Sequence, residues 1–242
     1  MDEKELRTSP KQRIFISLIA ILMLGSMVTG YALIIANGGK SNAAVSSDSG
    51  IDEEKIYELE EKYHVVEDKF KEISRADFDK FMAYKSEIKA YNEATANSNG
   101  VQTRDLKVGS GRELVDGDTN YLAYYVGWCA DESIFDSSFD DNKNPTAFSK
   151  ILDASLGMIE GWNIGVVGMR LNGVREVTIS SELAYGSSME ICGGYDKPLK
   201  FLIMTKAKEG DIVSVSKELD DAYMRLQYAY YGIDYDEIKG TE

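Results

Sequence analysis

The sequence is short of the residues from which most reactive sites are built. Its 242 residues include one histidine and two cysteines, too few for a multi-cysteine zinc site or a disulfide-rich scaffold. One bridge between Cys129 and Cys192 stays open at this point, as do two separate thiols. His64 stands in a charged run beside Tyr63, with no Cys, Asp or Glu constellation around it, and is expected on the solvated surface. No metal or cofactor is therefore expected. Basic side chains are also scarce: 27 Lys and Arg against 41 Asp and Glu leave a net charge of -14. Nucleic-acid binding rests on clustered Lys and Arg, so nucleic acid is not an expected partner. What is present, 43% hydrophobic and 28% charged residues, is a globular composition able to build a core.

From Ile14 to Ala36, "IFISLIAILMLGSMVTGYALIIA", 23 positions carry no charge. At about 1.5 Å per residue such a helix spans roughly 30 Å of hydrocarbon, which predicts a transmembrane helix over 14–36. A cleaved signal usually has an apolar region of only about 7–15 residues, although Ala43 and Ala44 leave cleavage as an alternative. Lys4, Arg7, Lys11 and Arg13 precede the span and only Lys40 follows it closely. That bias puts residues 1–13 in the cytoplasm and everything after the span on the extracytoplasmic side.

Residues 37–51 are a small polar tether rich in Gly and Ser. Over 52–96 the apolar positions Ile56, Leu59, Tyr63, Val66, Phe70 and Ile73 recur at alternating intervals of three and four, predicting a helical stalk. Ser74-x-x-Asp77 resembles a capping box, so a second helix, or a kink, is expected from there through Phe78, Phe81, Tyr84, Ile88 and Tyr91. The stripe suits either a homodimeric coiled coil or packing within the monomer. Over 212–242, Leu219, Ala222, Tyr223, Leu226, Ala229 and Tyr230 share a helical face closed by Gly232, predicting a further helix.

Between these helical regions the periodicity changes. "NYLAYYVGWCA" (120–130), "VREVTIS" (174–180) and "PLKFLIMTKAK" (198–208) are aromatic or β-branched runs bounded by turn residues, which predicts an antiparallel sheet. Among them lies "GMIEGWNIGVVGM" (157–169), with Gly157, Gly161 and Gly165 four apart and Gly168 beyond. The spacing is that of packed membrane helices. Glu160, Asn163 and Arg170 together with the short apolar length exclude a span, so these glycines are expected to let a short helix lie close across a sheet.

The motifs "VGSGRELVDGD", "YYVGW", "IFDSSF", "GMIEGWNIGVVGM" and "ELAYG", in that order and followed by "LKFLIM", resemble the FKBP-type peptidyl-prolyl cis-trans isomerase domain. The resemblance covers 101–209. It implies an α+β fold, a curved antiparallel half-barrel sheet wrapped around a short central helix, and an apolar cavity that receives proline-containing polypeptide clients. It also implies rotation about X-Pro bonds as the activity. By the same resemblance, Asp136, Tyr125, Tyr185 and Ile159 are the catalytic set: the Ile159 N–H and the Tyr185 hydroxyl meet substrate carbonyls, and Asp136, held by Tyr125, faces the amide. Phe135, Phe148, Met158, Trp162 and Phe201 line the pocket, with Trp162 as its floor.

The chain departs from the family pattern in three places. A basic residue often follows the aspartate shortly after it, but here Phe139, Asp140 and Asp141 stand there, removing a partner and adding repulsion. The run from Phe148 to Trp162 is longer than usual. The flap reads "SSMEICGGYDKP" in place of an Ile-Pro-Pro type sequence, with Ile191 expected to supply its apolar contact. A Cys129–Cys192 disulfide would then tie the flap to the strand end, as an extracytoplasmic compartment permits. Two rival readings remain: a proline-segment binding module or chaperone without useful catalysis, and a surface adaptor working through its helices.

Overall fold

The computed structural model describes residues 52–239. The expected cytoplasmic tail 1–13, transmembrane helix 14–36 and tether 37–51 lie outside these residues. Among the described residues no helix is long and apolar enough to cross a membrane. The chain divides into two compact units, Lys62–Asp221 and a second one drawn from residues 52–61 and 222–239.

Six antiparallel strands organise the larger unit: β1 (Val101–Lys107), β2 (Tyr121–Trp128), β3 (Ile134–Ser137), β4 (Leu152–Asp153), β5 (Val174–Ile179) and β6 (Leu199–Ala207). Their order is β1-β5-β6-β2-β3, with β4 also on β2. One edge of β2 pairs along its full length with β6. The other edge is shared, by β4 at Leu122 and Ala123 and by β3 from Val126 to Trp128. Every residue of β2 is buried, so its alternating side chains feed two cores. Tyr121, Ala123 and Tyr125 join Trp162, Val177, Ile179 and Phe201 on one face. Leu122, Tyr124, Val126 and Trp128 join Phe70, Phe78, Phe81 and Phe148 on the other.

Phe70, Phe78 and Phe81 come from α1 (Glu53–Met82), a single unbroken helix. The expected break at Ser74 is absent. Ser74 is buried in mid-helix and its hydroxyl turns back to the Lys71 carbonyl at 3.4 Å. Phe70, Ser74, Phe78 and Phe81 continue one face of the helix, and their burial in the aromatic cluster outweighs a local capping signal. The expected 52–96 stalk is thus corrected in its second half. The helix stops at Met82, a 3-10 turn at Lys85–Glu87 follows, and α2 (Glu93–Ser98) begins where the Asn92 side chain accepts from the Thr95 N–H at 2.9 Å.

The central helix, α3 (Glu160–Val166), shows what its glycines do. A Cβ on Gly161 would sit 2.1 Å from Ile179 Cγ2, and one on Gly165 would sit 2.4 Å from Val177 Cγ1. The four-residue spacing matches two same-face side chains of β5, so helix and strand approach at backbone distance. Arg175 from the same strand is buried, pairs with Asp105 at 2.6 Å, and donates to the carbonyls of Gly165 and Val167 at 2.9 and 2.8 Å. It thereby satisfies the C-terminal carbonyls of a short helix that has few of its own partners.

The final helices are α4 (Asp211–Tyr230) and α5 (Tyr235–Lys239). Val215 and Leu219 on α4 enter the aromatic cluster of the larger unit. In the smaller unit the Tyr230 hydroxyl donates to Glu60, Lys55 pairs with Asp234 at 2.8 Å, and Gly232 (φ 70°) closes α4 by donating to Ala229 O at 2.9 Å.

Candidate active site

The floor of the site is aromatic. Trp162, 1% exposed, meets Tyr125 edge-on at 5.7 Å between ring centres and Phe201 at 5.3 Å. Phe135 in turn stands edge-on to Phe201 at 5.6 Å. The T-shaped contacts are the arrangement favoured by ring quadrupoles. The indole N–H donates to the Tyr121 hydroxyl at 3.0 Å, so the tryptophan's one polar atom is satisfied beneath the floor. Gly127 on β2 makes room for the rings, since a Cβ there would lie 2.6 Å from Phe135 and 2.8 Å from Phe201.

Met158, Ile159, Phe135 and Tyr185 pack half-buried around this floor, and Ile191 is buried in the same cluster. Ile159 is the residue from which α3 starts, in extended conformation, and its carbonyl accepts from the N–H groups of Trp162 and Asn163. Its own N–H has no acceptor among the described residues, nor does the Tyr185 hydroxyl have a partner there. Burial and then the neighbouring Asp136 carboxylate push the Tyr185 hydroxyl up, which keeps it a donor.

Asp136 is placed by β3, opposite Gly127 of β2. One carboxylate oxygen accepts from the Tyr125 hydroxyl at 2.5 Å and the other from the Lys150 ammonium at 2.7 Å. Tyr125 is pushed well above its ordinary value, first by burial and then by Asp136, so it too remains a protonated donor. The expected loss of a basic partner is therefore made good by a residue that the motif reading did not single out. Lys150 is the only cation in the run 144–159, and its isolation there is the one sequence signal that could have marked it. Asp140 and Asp141 do not face Asp136; they cap the loop between β3 and Lys150.

Phe148 requires a correction. It was expected in the pocket, yet it is stacked on Tyr124 at 3.9 Å and stands edge-on to Phe78 and Phe81 on the opposite face of the sheet. The cause is its pairing with Phe139, which carries it to the side where α1 presents its own aromatics. The wall beside Tyr125 is supplied instead by Lys150, whose ammonium lies 5.6 Å from that ring's centre. Cys129 and Cys192 are joined in a disulfide, with Cα atoms 5.5 Å apart, tying the loop that carries Ile191 to the end of β2.

His64 is exposed, with Glu67 at 3.3 Å and the Tyr63 ring edge-on at 5.5 Å between ring centres. Among the described residues no group of three or more His, Cys, Asp and Glu side chains is placed to hold a metal ion. A separate open groove is lined by Tyr91, Arg104, Glu176 and Lys200, on the face of the sheet opposite Phe201. Its charges pair with one another, Glu176 taking both Arg104 and Lys200, so it offers less to a ligand than the aromatic floor does.

Residues 110–206 match the model of a family described as FKBP-type peptidyl-prolyl cis-trans isomerase. A protein named FK506-binding protein from Neisseria meningitidis serogroup B is 37% identical over 91 residues, covering 36% of this chain and 76% of the relative. FK506-binding protein 4 of Neurospora crassa is 42% identical over 88 residues, again 36% of this chain but only 18% of that protein. The chain thus spans under a fifth of the length of the fungal relatives it matches. A solved structure described as the crystal structure of AtFKBP13 covers 45% of this chain and 92% of its own, at 30% identity and a TM-score of 0.34. The bacterial match, 37% identical over 76% of that relative, together with the family model over 110–206, identifies the chain as a member of the FKBP-type peptidyl-prolyl cis-trans isomerase family.

Proposed function

We propose that the protein accelerates cis-trans rotation about X-Pro bonds in polypeptide clients. The observation that carries this reading is an aromatic floor of Tyr125, Trp162, Phe201 and Phe135 with two donors at its half-buried rim, the Ile159 N–H and the Tyr185 O–H, that have no partner among the described residues. Rotation about an X-Pro bond breaks amide resonance and takes roughly 10–100 s uncatalysed, over a barrier near 20 kcal/mol. No bond needs to be made or cut. A twisted amide is less polar at its carbonyl than a planar one, so a surface that seats the proline ring out of water favours the twisted form. The two donors hold the flanking carbonyls, and the Asp136 carboxylate, fixed by Tyr125 and Lys150, stands beside the rotating amide.

The test is the isomerisation rate of an X-Pro peptide with the full-length protein, its disulfide intact. Acceleration is expected, with kcat/KM reduced about tenfold in Asp136→Asn and severalfold in Tyr185→Phe. A folded, oxidised protein that binds the peptide without accelerating it would favour the proline-segment binding module instead.

Placement outside the cytoplasm is part of the same proposal. Support comes from the 23 uncharged residues of 14–36, the basic residues ahead of them, and the disulfide, a bond that persists in oxidising compartments. Retention in membranes after alkaline carbonate washing, with the domain open to protease from the outer side only, is the expected behaviour; a freely soluble protein would sink it.

A further inference from the structure

Three features of the site converge on one side chain. The first is the gap in the edge of β2. β4 pairs at Leu122 and Ala123 and β3 from Val126 onward, leaving Tyr124 and Tyr125 between them, and at Tyr125 Ser138 answers the carbonyl and N–H at 2.8 and 3.1 Å. The second is a tight excursion over residues 138–149 that leaves from this gap and returns to it. Ser149 N–H donates to Ser138 O at 2.9 Å and Asp140 N–H to Ala147 O at 3.1 Å. The Asp140 carboxylate accepts from Thr146 N–H, Thr146 Oγ1, Ala147 N–H and Asp141 N–H at 2.6 to 3.1 Å. The third is what the returning chain delivers. Lys150, the next residue, reaches Asp136 at 2.7 Å with its ammonium over the Tyr125 ring.

We propose that Lys150 is a positioning residue of the isomerase site, holding the Asp136 carboxylate toward the rotating amide, and that the Asp140-capped excursion exists in this chain to bring it there. The inference rests on the isomerase reading of the same site. With Tyr125 alone, Asp136 would keep one anchored oxygen and a free rotation about its Cβ–Cγ bond. A second donor on the other oxygen fixes the plane of the carboxylate. Both partners are less than a third exposed, so salt screens the pair less than it would a surface one. The Tyr125 ring beneath the ammonium supplies a further attraction. Because the lysine acts through Asp136, its contribution vanishes where the carboxylate is already gone, whereas a merely structural lysine would cost the same in either background.

The experiment is a cycle in the full-length protein: wild type, Lys150→Met, Lys150→Arg, Asp136→Asn and the Lys150→Met/Asp136→Asn pair, assayed on an X-Pro peptide with kcat and KM resolved and with thermal unfolding recorded for each. Lys150→Met is expected to lower kcat about tenfold with KM changed less than threefold. Lys150→Arg should restore activity to within about threefold of wild type, since it keeps a donor to the carboxylate. Lys150→Met should cost less than about twofold in the Asp136→Asn background. Unchanged kcat in a folded Lys150→Met protein would overturn the inference and leave the isomerase reading standing, and an equal loss in both backgrounds would do the same. Absence of acceleration by wild type would overturn both.

Discussion

Tyr124 and Tyr125 are adjacent in sequence and point to opposite faces of β2. Tyr125 donates to Asp136 in the site, whereas the Tyr124 hydroxyl is buried with no hydrogen-bond partner among the described residues. Burial pushes both hydroxyls up, as it does those of Tyr185 and Tyr121, the last to about 12. In the folded state these groups keep their protons above pH 10, where an unfolded tyrosine begins to lose its own. The folded state therefore binds more protons, and stability falls as pH rises. For Tyr121 alone the stabilisation is fully present below pH 10 and lost between 10 and 12, an effect of about 3 kcal/mol. The urea midpoint should drop steeply above pH 10, and part of the phenolate absorbance of the 15 tyrosines should emerge only as structure is lost. Reversible ionisation of every tyrosine near pH 10, with the fold intact, would contradict this burial.

At the scale of elements, the loop from Tyr185 to Lys197 has little regular structure: a 3-10 turn at Gly186–Ser188, a bridge between Ile191 and Gly194 and a bond from Asp196 N–H to Gly186 O, with Lys197 paired to Glu93 at 2.8 Å and Asn97 donating to Asp196 O at 3.3 Å. The Cys129–Cys192 disulfide attaches it to the end of β2, 63 residues away in sequence. Chain-entropy arguments give at most about 4 kcal/mol for closing such a loop. Reduction, or the Cys129→Ser/Cys192→Ser pair, should lower the urea midpoint and raise KM for the X-Pro peptide, because Ile191 loses its tether to the Trp162 cluster. Full reduction with neither quantity altered would show that the loop holds itself. How far such elements were legible depends on burial. The long half-buried or buried strands β2, β5 and β6 declared themselves by apolar periodicity, but β1 is mostly exposed and β3 and β4 are only four and two residues long. Ser74 misled because a capping signal is local and the burial that overrides it is tertiary. The two faces of the sheet explain Phe148 and Lys150: an aromatic or a cation in a short run does not say which face it joins, and here the closure of the 138–149 excursion decides.

For the larger unit as a whole, the family resemblance ends where the fold does not. The sheet face opposite the candidate site carries Leu122, Tyr124, Val126, Trp128, Phe148, Leu202 and Met204, and it is covered by Phe70, Phe78 and Phe81 of α1 and by Val215 and Leu219 of α4. None of these five covering residues lies within 101–209. Burial of a large apolar side chain contributes about 1.5–3 kcal/mol, so losing all five removes roughly 10 kcal/mol, comparable with the 5–15 kcal/mol that stabilises an ordinary domain. Their removal also leaves a broad aromatic surface in water, which favours association between copies. A fragment of residues 101–209 should therefore fail to unfold cooperatively and should elute as aggregates on gel filtration. The 62–221 fragment, which keeps the covering side chains, should be monomeric and melt in one transition by tryptophan fluorescence, since Trp128 and Trp162 report from the two faces of the sheet. Equal midpoints for the two fragments would mean that α1 and α4 are ornaments on a self-sufficient sheet; a cooperative transition only in the longer one would make them part of the isomerase fold in this chain, and would explain why a helix that reads as a stalk carries its phenylalanines on one face.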